Sequence, residues 1–412
     1  MDSPLPVMRG AYCRRSRALN FAMQATDFAL SVSRPLRARE GVIRPPSRLL
    51  IANVAHLGDL VVATAILPVL KSAFPECKIG FLIGSWARPV LDGHPLVDDI
   101  HILDHWATNR ASPARRDKLR RYFQTRRHAL REIKAARYDA AIDLCWSFPN
   151  TLPFLWQAQI PVRIGYRSGG GGPLATHSLD FDARALHVSE RHLALVRLLP
   201  VSAENLAKAA PALAPVSGAD AAAWQREMQA ANLTSGGYIV FHVGAGGNLK
   251  VWPASKWRVL AQRWLETGAR IVFTGAGEKD AALIAEITAG LSGCVNLCGR
   301  LNWGGLVAAI TQARLVVCVD TVAGHIAGAV GTPCAVVTTG QSPYLWHPLG
   351  QSHQVLTHSV PCAPCHRGLG CVGMECIREV EAEQVYRAGH ALLLPPNFLP
   401  PGGLLAQRNT EG

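Results

Sequence analysis

The residues of this chain best suited to chemistry lie in one short block, Val319-Asp320-Thr321-Val322-Ala323-Gly324-His325. The apolar run Leu315 to Val319 leading into it reads as a buried strand, and the small residues after it open a helix. A strand feeding a helix this way aims unpaired amide N–H groups and a partial positive charge at one spot. An anion such as a diphosphate can sit there. Asp320 falls at the strand's carboxyl end, where open α/β sheets bind ligands. A plain helix cap by Asp and Thr fits the same residues, so the rest of the chain has to decide.

A second dense cluster is Cys362-x2-Cys365-x5-Cys371-x4-Cys376, set among prolines and glycines. Cysteine pairs at this spacing can hold structural zinc, with His366 as a substitute ligand, or an iron–sulfur cluster. Reduced, unmetallated thiols are the alternative. The one Asp-x-Asp, Asp180-Phe181-Asp182, follows the glycines 169–172 in a loop-like stretch and reads as surface charge rather than a metal site.

The elements that must carry these groups follow from the hydrophobic pattern. At 412 residues, nearly half apolar, the chain can form two domains. Residues 1–47 are a basic appendage in which 18–32 can form a short amphipathic helix. Apolar runs at 48–54, 78–83, 99–103 and 138–144 read as parallel strands, with a helix over 60–74. They place an N-terminal domain at 48–205. A Pro-, Ala- and Gly-rich linker, 206–236, contains a helix over 219–231. A C-terminal domain, 237–394, repeats the pattern with strands at 238–243, 270–273 and 315–319 and helices at 254–267, 280–291 and 304–312; it includes the Cys-rich loop 360–377. Residues 395–412 read as a flexible tail. Two such α/β units suggest paired Rossmann-like domains facing a cleft. No glycine stretch matches G-x-G-x-x-G between strand and helix, which disfavours a dinucleotide oxidoreductase.

No apolar run approaches the roughly 18–20 residues that span a bilayer, and no signal-peptide pattern stands at the start. Eleven cysteines, an odd and scattered set, point to free thiols in a reducing cytoplasm. The net charge of +13 gathers in the leading segment and between Arg110 and Arg137. Such density attracts a polyanion: an anionic membrane surface, a phosphorylated glycolipid or nucleic acid, unless it is only a solvated helix face. Nucleic acid is the weakest of these, because no zinc-finger, RNP or homeodomain-like pattern accompanies the charge.

Several blocks, in order, resemble glycosyltransferase family 9, the ADP-heptose:lipopolysaccharide heptosyltransferase-like enzymes. They are Gly58-Asp59, His94 to Asp98, Arg163-Ile164-Gly165-Tyr166, His187-Val188-Ser189-Glu190, Lys250-Val251-Trp252-Pro253, Gly275 to Glu278, Cys298 to Leu301, and Asp320-Thr321 with His325. The resemblance implies a GT-B fold, with the acceptor on the N-terminal domain and a nucleotide-sugar donor on the C-terminal one. It also implies an inverting sugar transfer that needs no metal or other cofactor.

Inverting transfer needs a base for the acceptor hydroxyl and a cation for the departing diphosphate. The resemblance gives these roles to Asp59 and Lys250. Capping of the Leu60 helix is the other reading of Asp59, and a solvated lysine the other reading of Lys250. Donor contacts fall to Asp320, Thr321, Gly324 and His325, to Glu278 at the ribose, and to the amides of Gly244, Gly246 and Gly247. A first-turn acid explains Glu278 equally well, and helix capping explains His187 and Glu190. Two departures stand out: glycines replace hydroxyl residues ahead of Lys250, and Val322 replaces a glycine after Asp-Thr.

The implied partners are a nucleotide sugar and a lipopolysaccharide-type glycolipid or polysaccharide acceptor, with the enzyme held at the inner face of an anionic membrane. The rival readings are a nucleotide-sugar epimerase or hydrolase of the same fold, and a non-catalytic Cys-cluster interaction protein on that scaffold.

Overall fold

The computed structural model describes residues 17–33, 41–110, 114–147, 149–181, 187–246, 250–340, 345–363, 371 and 373–394. The tail expected over 395–412 and much of the leading appendage lie outside them. The chain divides into two compact units between Pro215 and Val216.

The first unit is built on strands β1 (Arg48–Asn53), β2 (Lys78–Ile83), β3 (Asp99–Ile102), β4 (Ala140–Asp143), β5 (Val162–Tyr166) and β6 (His177–Leu179). They form one parallel sheet in the order β3-β2-β1-β4-β5-β6. Its helices are α1 (Arg17–Val32), α2 (Leu57–Ala63), α3 (Leu67–Ala73), α4 (Arg115–Ala136), α5 (Leu152–Gln157), α6 (Val188–Val196) and α7 (Ala203–Leu206).

The second unit repeats the plan with β7 (Tyr238–His242), β8 (Arg270–Thr274), β9 (Cys294–Asn296), β10 (Leu315–Val319), β11 (Cys334–Val337) and β12 (His353–Leu356). Their order, β12-β11-β10-β7-β8-β9, is the same winding, again parallel throughout. Helices α8 (Gly218–Ala230), α9 (Ala254–Leu265), α10 (Glu278–Thr288), α11 (Trp303–Thr311), α12 (Val322–Val330), α13 (Glu375–Arg378) and α14 (Ala382–Leu392) cover it.

Both units are therefore Rossmann-like. In each, the chain leaves the first strand to one side and returns on the other, so a topological switch point lies between β1 and β4, and between β7 and β10. Strands buried on both faces explain why β1, β2 and β10 read as unbroken apolar runs.

One difference from the expected elements has a clear physical cause. The helix expected over 60–74 is three pieces, α2, a 3-10 turn at Thr64–Ile66, and α3. Pro68 lacks an N–H and crowds the carbonyl four residues back, so the α-helix stops and restarts with the proline in the first turn of α3. The helix expected over 219–231 within the linker is α8, and it packs with the second unit. Trp224 on α8 is fully buried, with its ring 5.7 Å from that of Tyr238 on β7. A buried indole of this size contributes on the order of a few kcal/mol.

Candidate functional site

In the second unit the candidate groups meet at the carboxyl edge of β7 and β10, on the switch point. Asp320 follows the last residue of β10, five residues that are all buried. Thr321 caps α12, its hydroxyl oxygen accepting the Ala323 amide at 3.3 Å. Lys250 lies beyond β7, and its Nζ stands 2.6 Å from Oδ2 of Asp320. The lysine side chain is 38% exposed and the aspartate 17%, so both remain within reach of solvent and of a ligand.

The loop holding Lys250 is anchored just downstream. Trp252 is fully buried, donates from Nε1 to the Val380 carbonyl at 3.0 Å, and meets Trp257 edge-on at 5.0 Å. Pro253 is the N-cap of α9 rather than its first helical residue. The Lys-x-Trp-Pro run thus sets a partly exposed cation two residues before a buried anchor.

His325 lies one turn into α12, 6% exposed, with no hydrogen-bond partner on Nδ1. Burial pushes its pKa down to about 4, with Lys250 and His347 acting in the same direction and Asp320 opposing them. It is therefore neutral near pH 7 and can offer a ring N–H or lone pair but not a positive charge.

Gly324 serves packing: a Cβ there would lie 3.3 Å from Cys318 Sγ and 3.5 Å from Pro348. Gly244 does the same, since its Cβ would stand 2.0 Å from Oδ2 of Asp280. Gly246 is exposed, and Gly247 lies outside the described residues.

Glu278 opens α10 with its side chain exposed. The acid that turns into the edge of β7 and β8 is Asp280, which accepts the Ala276 amide at 2.9 Å. Beside it, His242 Nδ1 lies 2.9 Å from Thr274 Oγ1, and burial lowers the His242 pKa to about 4. The sequence alone does not single out Asp280. Gly277, at φ +84, leads into α10, and Glu278 and Asp280, two residues apart, fall on different sides of that helix.

In the first unit Asp59 is the third residue of α2, and its Oδ2 accepts the His56 amide at 2.9 Å. The capping geometry is therefore present, with the carboxylate half-buried. Trp86 Nε1 donates to the Ala55 carbonyl at 2.8 Å and pins the same turn.

A further acid that the sequence alone does not single out is Asp143, at the end of β4 and fully buried. It occupies the place in this sheet that Asp320 takes beside β10. Its carboxylate is saturated by local amides: Cys145 donates to Oδ1 at 3.1 Å and Thr151 to Oδ2. Burial raises its pKa to about 6, while those amides pull the other way.

Other motif residues make local contacts within the first unit. The Arg163 guanidinium donates to the carbonyls of Leu174, Ile160 and Pro161, and the Tyr166 hydroxyl to the Arg191 carbonyl. His187 caps α6, with Nδ1 accepting the Ser189 amide at 3.2 Å, and Glu190 lies 3.8 Å from Arg197. Asp180 pairs with Arg167 at 3.0 Å, and Phe181 lies under the Arg191 guanidinium at 4.3 Å, while Asp182 lies outside the described residues.

The described cysteines give the proposed metal no support. Cys362 is exposed, Cys376 is buried, and Cys371 Sγ accepts the Met374 amide at 3.3 Å. Among the described residues no three His, Cys, Asp or Glu side chains form a donor set for a metal. Cys365 and His366 lie outside them.

A sequence model of glycosyltransferase family 9 (heptosyltransferase) matches residues 126–371, which include Lys250 and Asp320 but not Asp59. Lipopolysaccharide heptosyltransferase 1 of Pseudomonas aeruginosa is 27% identical over 322 residues, 77% of this chain and 86% of that protein. Among solved structures, the family 9 glycosyltransferase of Veillonella parvula superposes with a TM-score of 0.72 at 19% identity, covering 86% of this chain and 99% of that one. E. coli ADP-heptose LPS heptosyltransferase II does so with a TM-score of 0.64 at 22% identity, covering 84% and 98%. The chain therefore belongs to glycosyltransferase family 9, and is a glycosyltransferase built from the two Rossmann-like units of the GT-B fold.

Proposed function

We propose that this enzyme transfers a heptose from ADP-heptose to a lipopolysaccharide-type acceptor at the inner face of the membrane, with inversion and without a divalent metal. The observation carrying this reading is the Lys250–Asp320 pair at the switch point, beside the amino end of α12. A cation and the partial positive charge at the amino end of α12 converge there, and they suit a diphosphate without a metal. The Pseudomonas relative, a heptosyltransferase acting on lipopolysaccharide by its name, supports the sugar and the acceptor class.

In this reading the acceptor hydroxyl oxygen attacks the anomeric carbon, and its proton passes to the Asp59 carboxylate. The bond from that carbon to the diphosphate oxygen breaks, and the electron pair departs with ADP. Lys250 neutralises the charge that builds on the leaving group. It exchanges Asp320 for the diphosphate, and Asp320 turns to the sugar hydroxyls. Thr321 and the first amides of α12 hold the phosphates, His325 supplies a neutral donor beneath them, and Glu278 meets the ribose.

The test is ADP release from ADP-heptose with and without a heptose-accepting saccharide, with EDTA present. Acceptor-dependent release and a product of inverted anomeric configuration support the reading. Equal release without acceptor would make the protein a hydrolase or epimerase, and failure to bind any nucleotide sugar would make it a non-catalytic scaffold.

A further inference from the structure

Two helices of the first unit carry solvent-facing stripes that the reaction does not use. On α4 the residues Arg116, Arg120, Phe123, Arg127, Arg131 and Lys134 recur at spacings of three and four, so they share one face. None of the five cations enters an ion pair among the described residues, and Phe123 in their midst is 63% exposed. Like charges one turn apart destabilise a helix. A face kept in this state fits a partner that brings negative charge.

Helix α1 shows the opposite composition in the same posture. Its inward side holds Asn20, Met23 and Asp27; Asp27 Oδ1 accepts the Gly171 amide at 2.8 Å. The outward stripe is Phe21, Ala25, Phe28 and Val32, without a polar residue, and Phe21 and Phe28 are 72% and 68% exposed. An exposed aromatic pair on a small helix marks an interaction surface rather than ordinary surface variation.

Helix α5 connects the two. The Arg126 guanidinium on α4 lies 5.9 Å from the Phe154 ring centroid and donates to Gln157. Pro153 sits where a side chain on Gly171 would point, and Gly171 is the residue that binds α1.

We infer that α1 and α4 together form the surface by which this unit docks on an anionic lipid bilayer. The phenylalanines of α1, with Phe123, enter the headgroup boundary, and the α4 cations meet the acidic headgroups. Charge complementarity on α4 favours an anionic partner. A wide, exposed apolar stripe on α1 favours one with an apolar interior, which nucleic acid lacks. The inference deepens the proposed glycolipid transfer by naming the face that meets the lipid, but vesicle binding reads it independently of turnover.

The test is co-sedimentation of the full chain with phosphatidylcholine vesicles, and with vesicles containing about one-third phosphatidylglycerol. Wild type is expected on the anionic vesicles alone, with release as salt rises. The quadruple variant Arg116→Gln, Arg120→Gln, Arg127→Gln, Arg131→Gln should bind on the order of a hundredfold more weakly. Phe21→Ser with Phe28→Ser should bind at least about tenfold more weakly, and should lose whatever binding survives high salt. Both variants should keep wild-type thermal midpoints and wild-type turnover of a lipid-free acceptor.

Equal binding to neutral and anionic vesicles, or undiminished binding by both variants, would overturn the inference. So would displacement from the vesicles by RNA at equal phosphate. If the phenylalanine variant leaves vesicle binding intact but dissociates an oligomer in sedimentation velocity, the stripe belongs to a second copy and the inference fails. Loss of turnover by wild type on the lipid-free acceptor would instead count against the proposed reaction.

Discussion

The Lys250 ammonium stands 2.6 Å from the Asp320 carboxylate, across the seam between β7 and β10, although 70 residues separate them in the chain. A pair this exposed adds about 1 kcal/mol or less to stability, so it contributes little to the fold. Lys250→Ala should leave the thermal midpoint within a few degrees of wild type. It should lower kcat by about 10²- to 10³-fold and raise the donor KM. Asp320→Asn should raise the donor KM with a smaller effect on stability. Steady-state kinetics set beside thermal melts would separate these effects, and wild-type kinetics in Lys250→Ala would contradict the assignment.

Asp59 is asked to cap α2 and to take a proton, and the two roles respond differently to substitution. Asparagine keeps an oxygen for the His56 amide but cannot act as a base at neutral pH. Asp59→Asn should cost at most about 1 kcal/mol of stability. Its turnover should drop about 10²- to 10⁴-fold. A large loss of stability with turnover preserved would leave only the cap.

Trp252 tests whether the buried anchor holds the lysine. Trp252→Ala removes a fully buried indole and its bond to the Val380 carbonyl. The expected cost is about 3–5 kcal/mol in denaturant melts. Trp252→Phe should retain most of the packing, with a cost of about 1–3 kcal/mol for the carbonyl left without its donor, and with a raised donor KM. An unchanged KM in the folded Phe variant would uncouple anchor from site.

Buried histidines should make the protein acid-labile. Burial lowers His105, His242 and His325 to about 4 and His192 to about 3, against an ordinary value of 6.5. Between those values the unfolded chain binds more protons than the folded one, so stability falls as pH drops from about 6.5 to 4. Asp143 works against this trend. Burial raises it from 3.8 to about 6, so the folded form holds its proton longer and that single group loses stability as pH rises through the same range. Four histidines against one acid give a net gain of stability with rising pH. Urea midpoints across pH 4–7 measure it; a flat or falling profile would show that these groups are not buried as described.

Much of the site was legible because it is local. Five apolar residues ending at Asp-Thr specify β10 and the start of α12 within one window, and the observed strand has the expected bounds. The Lys250–Asp320 contact was not legible, since it depends on β10 lying beside β7, and strand order is a property of the whole sheet. Asp280 was hidden behind Glu278 because the phase of α10 against the strands sets which acid turns inward. Asp143 falls inside the strand expected over 138–144, and its burial depends on the Thr151 amide, eight residues on, folding back to it. The helix read over 60–74 failed at Pro68 for a reason the sequence did contain.

The central claim is that Asp59 and Lys250 serve one transfer, the first on the acceptor proton and the second on the departing diphosphate. A single-turnover measurement of ADP release on Asp59→Asn, alongside calorimetric binding of ADP-heptose to the same protein, tests it most directly. The account predicts donor affinity within about twofold of wild type and ADP release slowed by at least about a hundredfold, with acceptor present. Release at the wild-type rate, with donor bound as tightly, would contradict it.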